Sequence, residues 1–306
     1  SPATCRAEAG AVIHNASGRR LAYGALAADA ARMPVPQNVT LKPASAFRLI
    51  GKPARRIDTP AKVDGTALFG LDVRPPGVKF AAIAGCPTFG GTLQSADEGE
   101  ALKVKGVRQV VKLSDAVAVV ADHTGAARKG LAALKIVWDR GSNRSLTSLE
   151  LERRAEEAMR GKPVIAHSSG DIEAAEAAHP RGVEATYRMP ILPHTAMEPM
   201  NCSVHVQKDR CDVWVGTQVA DRARKAAAGL TRLPAEKVFV HNQFLGGGFG
   251  RRLDHDGVTM AVRVAQQVSG PVQVVWSREE DIRHDSYRYL NSSRINIRLG
   301  PDGMPI

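Results

Sequence analysis

A run of glycines places the strongest constraint on what this chain can fold into. The stretch FVHNQFLGGGFGRRLDHDG, residues 239–257, has four glycines in five positions, interrupted only by Phe249. Such a cluster is kept where the backbone takes a positive φ or presses against a neighbour, because glycine loses the most freedom on folding. A strand-like alternation over 238–244 precedes it and a helical pattern over 256–268 follows it. The sequence therefore predicts a loop between a strand and a helix N-terminus, with the glycines Gly246, Gly247, Gly248 and Gly250.

A loop in that position offers backbone N–H groups and a positive helix dipole to an anion, usually a phosphate. The common nucleotide motifs do not fit, however. Counting six positions from Gly246 ends at Arg251 and from Gly248 at Leu253, so Gly-x-Gly-x-x-Gly is incomplete, and no Gly-Lys-Ser/Thr follows. Residues 254–257 resemble part of a calcium loop but lack the remaining ligands. Taken alone, the loop is as compatible with a structural role as with a ligand site.

The composition limits the class of protein. The 306 residues leave room for about two domains, and no run of 18 or more apolar residues occurs. A net charge of +11 invites a nucleic-acid hypothesis, which would predict binding that weakens steeply with salt. The basic residues come as scattered pairs, and 5% aromatics offers few rings for base stacking. We therefore expect no nucleic-acid partner; a solvated surface or docking onto an acidic partner subunit explains the charge equally well.

The four cysteines, Cys5, Cys86, Cys202 and Cys211, contain no Cys-x-x-Cys pair. An iron–sulfur cluster or structural zinc site within this chain is not expected, and buried thiols are the main interpretation. A Cys202–Cys211 disulfide would need an oxidising compartment. The sequence leaves the compartment open, with a periplasmic location favoured over a cytoplasmic one.

The order of predicted elements indicates an α+β chain in three parts: a linker region over 1–57 with a hairpin at 15–18, a compact unit over 58–141, and a further unit over 142–306. The C-terminal residues RINIRLGPDGMPI predict a strand, a turn and only the start of a returning strand, so we expect a piece of something larger. Strands are predicted at 67–72, 80–84, 107–113, 116–121, 135–138, 204–206, 212–217, 238–244 and 272–276, and helices at 125–134, 142–160, 221–230 and 256–268.

The motifs around the glycine loop favour a ligand site over a purely structural role. Four of them occur in order: LPHTAMEP at 192–199, VWVGTQ at 213–218, FLGGGFGRR at 244–252 and PVQVVWSREEDIRHDSYR at 271–288. Together they resemble the molybdenum-binding subunits of the xanthine dehydrogenase and aldehyde oxidase family, and most closely the isoquinoline 1-oxidoreductase-like β subunits. The earlier segment GKPARRIDTPAKVDGTALFGLDVRPPG resembles that family's α/β hammerhead domain. The resemblance thus implies a hammerhead domain over 58–141 and the first part of a molybdopterin-binding domain over 142–306, incomplete at its C-terminus.

The resemblance also implies a molybdopterin cofactor carrying molybdenum, as such or in the cytosine dinucleotide form. The family holds this cofactor on glycine-loop backbone, and Phe249 and Gly250 would lie beside the metal's ligand sphere. Gln218, in the Gly-Thr-Gln motif, would be the catalytic residue that approaches an oxygen ligand of molybdenum. No side chain here is expected to bind the metal directly. The cofactor-binding residues implied are Gly246, Gly247, Gly248, Phe249, Gly250 and Arg251.

The neighbouring motifs suggest a substrate pocket. A proline on each side of the segment from His194 to Glu198 predicts a loop that forms pocket wall, and Glu198 is the first candidate among the residues present for a base. Leu253 stands where purine-oxidising relatives of the family carry a glutamate, so the resemblance points to aldehydes or less polar N-heteroaromatics. For Arg278, Glu279 and Asp281, a solvated charged turn is favoured over a catalytic role.

The family's reaction is hydroxylation with oxygen drawn from water, a glutamate acting as general base. Its electrons leave through iron–sulfur clusters, so a 2Fe–2S subunit and a cytochrome c or other acceptor are expected partners, besides the remaining part of the subunit and a small-molecule substrate. The family's Gly-x-Gly-Glu base motif does not occur here; the only Gly-Glu pair is Gly99-Glu100. The isolated chain is therefore expected to be inactive. The alternative is a non-catalytic scaffold or docking subunit that keeps the family fold.

Overall fold

A computed structural model describes residues 2–306, and the chain forms two compact units, Ser1–Pro60 and Ala61–Ile306. The elements of the first unit are β1 (Cys5–Glu8), β2 (Ala11–His14), β3 (Arg20–Ala22) and α1 (Tyr23–Ala30). The three strands form an antiparallel sheet in chain order. The predicted hairpin at 15–18 is confirmed, because β2 and β3 pair across it.

The second unit contains mixed helices and strands, which confirms the predicted α+β class. Its strands are β4 (Lys79–Gly85), β5 (Thr92–Asp97), β6 (Val107–Lys112), β7 (Ala116–Ala121), β8 (Lys135–Asp139), β9 (Gly182–Met189), β10 (Asn201–Val206), β11 (Cys211–Val215), β12 (Val238–Asn242), β13 (Val272–Val275) and β14 (Asn291–Arg298). Its helices are α2 (Thr59–Val63, which begins in the first unit), α3 (Gly99–Leu102), α4 (Thr124–Ala133), α5 (Ser148–Met159), α6 (Ile172–Ala178), α7 (Ala220–Thr231), α8 (Asp256–Ala265) and α9 (Arg278–Arg283).

A seven-stranded mixed sheet, in the order β12-β11-β10-β13-β4-β7-β6, carries the core. All six residues of β7 are buried, as the continuous apolar run AVAVVA requires of a strand covered on both faces. On one face Ala81 and Ile83 of β4 pack with residues of α7 and α8, and on the other Ala82 packs with α4. Successive side chains of β4 point to opposite faces of the sheet, so this strand contributes apolar residues to the core on both faces.

The sheet brings two loops to one edge. Strands β11 and β12 are parallel, with Cys211 opposite Val238 and Val215 opposite Asn242, and α7 connects them. The carboxyl ends of parallel strands meet at the same edge of a sheet, which is where ligands bind in many open α/β sheets. The segment after β11 therefore lies beside the glycine loop that follows β12.

Some predicted elements differ from those observed. The strand predicted at 67–72 is wrong: this segment holds a 3-10 turn, Gly70–Asp72, whose carboxylate accepts from the main-chain N–H of Phe69. Strands β5 and β9 and helix α6 were not predicted, because their residues are mostly exposed and carry little apolar periodicity. None of the described helices has the length and apolar character needed to cross a bilayer.

The division predicted at 141/142 stays a prediction. Strands from both sides of it, β4, β6 and β7 on one side and β10 to β13 on the other, share the seven-stranded sheet. The N-terminal division falls at Pro60, three residues after the predicted boundary at 57.

Candidate functional site

The glycine loop, defined here as residues 244–253, has one constrained backbone path. Gly247 and Gly250 take φ values of 103° and 102°, and Phe249 takes 55°. Glycine adopts these values at little cost, but phenylalanine is held there only by its surroundings. Non-glycine residues in this conformation cluster at functional sites, where neighbouring structure over-determines them. The loop then closes with a 3-10 turn, Arg251–Leu253, before α8.

The loop backbone presses against two neighbouring segments. A Cβ added to Gly246 would lie 2.5 Å from Cβ of Glu198, and one added to Gly248 would lie 2.6 Å from Oε1 of Gln218. Contacts this short do not occur between real side chains, so both positions need glycine unless a neighbour moves. The glycines therefore let the loop pack closely on the 192–199 segment and on Gln218.

Three consecutive main-chain N–H groups of the loop lack an acceptor within residues 2–306. The flanking N–H groups are used: Gly246 donates to Glu198 Oε2 at 2.9 Å and Gly250 to Gln218 Oε1 at 3.2 Å. Those of Gly247, Gly248 and Phe249 make no hydrogen bond to the described part of the chain. Successive free N–H groups form concavities that bind anions. The loop thus offers a donor-rich cradle to an acceptor-rich ligand.

Gln218 lies beside this cradle, in the segment that follows β11 rather than on the strand itself. Its side-chain carbonyl accepts from Gly250, and its main-chain N–H donates to the carbonyl of Arg252 at 3.1 Å. The side chain is exposed, and its amide nitrogen Nε2 donates to no atom of the described chain. One end of the amide is therefore anchored to the loop while the donor end is available.

Glu198, predicted to line a substrate pocket, lies behind the loop instead. Its carboxylate is only 7% exposed and forms an ion pair with Arg252, which is 2% exposed. Both carboxylate oxygens accept hydrogen bonds from the protein. No lone pair remains directed toward a substrate, so the structure lends no support to a substrate contact or a base at this position.

The two arginines of the loop also point inward. Arg251 Nη1 and Nη2 donate to the carboxylate of Asp256 at 2.7 and 2.6 Å, and its Nε lies 2.9 Å from Asp285. Arg252 Nη1 donates to the carbonyl of Gly216 at 3.0 Å, and burial lowers the pKa of this guanidinium. The guanidinium of Arg251 is held by these two carboxylates and its main-chain N–H donates to the carbonyl of Gly248 at 2.8 Å, so the cofactor contact predicted for Arg251 stays a prediction.

Asp285 is a site residue that the sequence analysis missed. It is 3% exposed, and its carboxylate accepts from the main-chain N–H of His194 and, at 3.0 Å, pairs with His194 Nδ1. His194 Nε2 then faces the loop, 3.7 Å from where a Cβ of Gly250 would lie. The loop form of the 192–199 segment is as predicted. Only the fold could reveal this pairing, because the two residues lie 91 positions apart.

The expectation of a solvated charged turn at Arg278, Glu279 and Asp281 is wrong for Asp281, although Glu279 is exposed. These residues begin helix α9, capped by Ser277, and Asp281 is 8% exposed. Burial raises the pKa of Asp281, although its carboxylate pairs with Arg278 at 2.9 Å. Arg278 in turn donates to the carbonyl of Met197 at 2.7 Å, so α9 supports the segment beneath the loop.

Large apolar side chains of the loop and of the 192–199 segment are exposed. Met197 is 89% exposed, Phe249 67% and Leu253 40%. Leu253 thus has an accessible side chain, which its predicted place in a substrate pocket requires. Among the described residues, no group of three or more His, Cys, Asp or Glu is arranged to hold a metal ion.

Comparison with known proteins gives the class to which this fold and loop belong. The chain resembles the crystal structure of quinoline 2-oxidoreductase from Pseudomonas putida 86 with a TM-score of 0.66 at 14% identity, over 84% of this chain and 38% of that one. It resembles the aldehyde oxidoreductase of Desulfovibrio gigas with a TM-score of 0.63 at 16% identity, over 82% of this chain and 33% of that one. The fold is therefore the one found in these two oxidoreductases.

Sequence comparison carries the assignment further. Residues 156–304 match the family model of the molybdopterin cofactor-binding domain. The β subunit of isoquinoline 1-oxidoreductase from Brevundimonas diminuta is 31% identical over 271 residues, 85% of this chain and 35% of that protein. The membrane-bound aldehyde dehydrogenase (pyrroloquinoline-quinone) of Gluconacetobacter polyoxogenes is 28% identical over 309 residues, 93% of this chain and 39% of that protein. The chain belongs to the xanthine dehydrogenase and aldehyde oxidase family of molybdenum-binding subunits, and it spans between 35% and 39% of the length of these two relatives.

Proposed function

We propose that this chain is the part of a molybdenum hydroxylase large subunit that holds molybdopterin on the glycine loop. The observation that carries the proposal is the row of free main-chain N–H groups at Gly247, Gly248 and Phe249. Beside them, Nε2 of Gln218 adds a fourth donor that no described residue uses. Four unused donors in and beside one glycine-rich loop suit a ligand rich in phosphate and other acceptor atoms.

The residues present fit that cofactor in shape as well as in donors. Gly246 and Gly248 let the loop backbone pack closely on Glu198 and Gln218, and Gly247 and Gly250 take positive φ values that glycine adopts at little cost. When bound, molybdopterin with its molybdenum would supply a two-electron redox centre and a Lewis acid for oxidation. The cytosine dinucleotide form remains one of two alternatives for the pterin.

Each residue of the cradle would then have a separate task. The loop N–H groups would bind the cofactor, and Gln218 would orient its reactive end through the donor Nε2, because the other end of that amide is fixed to Gly250. Phe249, Met197 and Leu253 would exclude water from the open side, since their exposed side chains are apolar.

We infer an aldehyde or a weakly polar N-heteroaromatic compound as the substrate, oxidised with oxygen from water. An apolar Leu253 offers no hydrogen bond to a purine, and it is 40% exposed beside the loop. Relatives include oxidoreductases named for isoquinoline, nicotinate and aldehydes. The partners proposed are the rest of the subunit, a 2Fe–2S subunit and a cytochrome c or other electron acceptor; several relatives are named as subunits of larger enzymes.

Replacement of one loop glycine tests the proposal. Gly248 has no positive φ, so valine suits its backbone, but the new side chain would meet Oε1 of Gln218 and Cδ1 of Leu245. In the purified assembly, Gly248→Val should lower molybdenum content several-fold while the far-ultraviolet circular dichroism stays the same. The matched control is Gly229→Val on α7, where a Cβ meets nothing within 4 Å. Full molybdenum occupancy in a folded Gly248→Val protein would show that the loop is structural.

A further inference from the structure

We propose that Glu198 is a positioning residue that fixes the shape of the glycine loop. Its carboxylate accepts four hydrogen bonds, two of them from the loop itself and two from other parts of the fold. Oε1 accepts from the main-chain N–H of Leu71 at 2.9 Å and from Nδ2 of Asn201 at 3.0 Å. Oε2 accepts from the main-chain N–H of Gly246 at 2.9 Å and from Nη2 of Arg252 at 3.0 Å. One side chain thus ties the third and ninth positions of the loop, Gly246 and Arg252, to Leu71, which lies 127 positions away in the sequence.

The contact with the loop is reciprocal and close. The main-chain N–H of Glu198 donates to the carbonyl of Gly246 at 3.1 Å, while Gly246 donates back to the carboxylate. A Cβ on Gly246 would lie 2.5 Å from Cβ of Glu198. Glu198 therefore explains why the first residue of the cluster is glycine: the backbone must approach to this distance for both hydrogen bonds to form.

The ion pair with Arg252 links Glu198 to the segment that contains Gln218. Arg252 donates from Nη2 to both the carboxylate and the carbonyl of Glu198, and from Nη1 to the carbonyl of Gly216. The carbonyl of Arg252 in turn accepts from Thr217 Oγ1 at 2.9 Å and from the main-chain N–H of Gln218. Glu198 and Arg252 together set the spacing between Gln218 and the loop.

The same bonds separate this role from general-base catalysis. A base needs a lone pair within reach of the proton that it removes, and the carboxylate oxygens of Glu198 are occupied by four donors at a side chain 7% exposed. Glu198→Gln keeps the size of the side chain but replaces one acceptor with an N–H₂ group that faces donors. The buried Arg252 also loses its counter-charge, and breaking one partner of a buried ion pair is strongly destabilising.

Glu280 provides a matched control for the substitution. It is also a largely buried glutamate, with its side chain 11% exposed, that accepts a main-chain N–H, from Gly85 at 3.0 Å, and pairs with an arginine, Arg283, whose side chain is 48% exposed. It makes no contact with the glycine loop among the described residues. Glu280→Gln should therefore reproduce the general cost of removing such a carboxylate without its effect on the loop.

The test measures the loop directly, by hydrogen–deuterium exchange of a peptide covering residues 244–253 in the full protein stripped of cofactor. Glu198→Gln should raise the exchange rate of this peptide about 10-fold to 100-fold, as expected for lost buried hydrogen bonds, and should lower molybdenum content in the assembly as purified. Glu280→Gln should leave both unchanged. In whatever Glu198→Gln enzyme retains molybdenum, the pH profile of kcat should match the wild type.

Three results would overturn the assignment. One is an unchanged exchange rate of the loop peptide in Glu198→Gln; another is full molybdenum content with loss of one limb of the kcat pH profile, which would make Glu198 a base. If Glu198→Gln does not fold, Arg252→Lys serves instead, because it keeps the charge but loses the hydrogen bonds of the two guanidinium nitrogens. Arg252→Lys should raise the exchange rate of the loop peptide about 10-fold. An unchanged exchange rate in that variant is the third result. The identity of the bound cofactor rests on the proposed function, whereas the exchange measurement is made without cofactor. The positioning role of Glu198 can therefore fail or hold independently of the proposed function.

Discussion

Gln218 shows how one side chain can serve both the fold and a ligand. Its carbonyl oxygen accepts from Gly250, so the amide cannot rotate freely, and its Nε2 donor is left for whatever occupies the cradle. A donor held in place before the ligand arrives stabilises developing charge without a cost of reorganisation. The position of Gln218 beside the loop thus agrees with the orienting role that we propose for it.

Two substitutions of Gln218 separate the donor from the anchor. Gln218→Ala removes both, and should lower kcat per molybdenum on the order of 10²-fold, by analogy with other preorganised donors. Gln218→Glu keeps an acceptor for the N–H of Gly250 but presents no donor, so it should lower kcat by a similar factor with the loop intact. Steady-state kinetics at equal molybdenum content makes the comparison, and normal turnover in Gln218→Glu would refute the donor role.

At the level of elements, the pairing of β10 and β11 explains the state of two cysteines. Cys211 lies opposite Val206, four positions along the strand from Cys202, and both thiols are free and fully buried. Burial raises the pKa of Cys202, and it raises the pKa of Cys211 to about 11. Buried thiols were the main interpretation of the sequence, and for these two residues that interpretation is confirmed.

This predicts a clear order of thiol reactivity. At pH 8 a thiol with a raised pKa stays protonated, and only the thiolate reacts, so Cys202 and Cys211 should label with iodoacetamide on the order of 10²-fold more slowly than the half-buried Cys5. All three should label in denaturant. Peptide mass spectrometry gives the extent at each site. Rapid labelling of Cys202 in the folded protein, or a mass loss that indicates a Cys202–Cys211 disulfide, would contradict the prediction.

On the scale of the whole molecule, large apolar side chains remain uncovered near the site. Met197, Phe249 and Leu68 are 89%, 67% and 62% exposed. Phe249 belongs to the glycine loop, Met197 to the segment packed on it, and Leu68 precedes Phe69, which bridges to Phe244 of the loop. Large exposed apolar side chains often mark an interaction surface. Because the chain spans 35% to 39% of the length of its first two relatives, we infer that further polypeptide covers this side of the cradle in the working enzyme.

We therefore predict that the 306 residues expressed alone carry no molybdenum and oxidise neither aldehydes nor N-heterocycles. A cradle open on one side loses the contacts that the remaining polypeptide would add, and the absence of a positioned base costs about 10²–10⁴-fold in rate. Co-expression with the flanking polypeptide and partner subunits should restore both properties. Circular dichroism must show that the isolated chain is folded; dye-linked turnover by that folded chain would refute the prediction.

Local sequence determined much of this protein. The order strand, helix, strand, glycine loop, helix over 211–265 could be read from periodicity, because short-range patterns of apolar residues define each element. Predicted and observed bounds agree fully for β7 and within one residue for α7. The motifs also identified the family, since they record which residues occur near the loop. They did not show what each side chain contacts.

Only the tertiary structure decided those contacts, since they join residues far apart in the chain. The sequence predicted Glu198 as a pocket residue and Arg278, Glu279 and Asp281 as a solvated turn. It did not show that Glu198 pairs with the buried Arg252 or that Asp281 is buried while Glu279 is exposed. Leu71 and Glu198, 127 positions apart, meet through one hydrogen bond. The hydrophobic pattern fixes which face of an element is buried, but the partner of a buried charge depends on which elements pack together. That packing, rather than any motif, sets the geometry of the cradle.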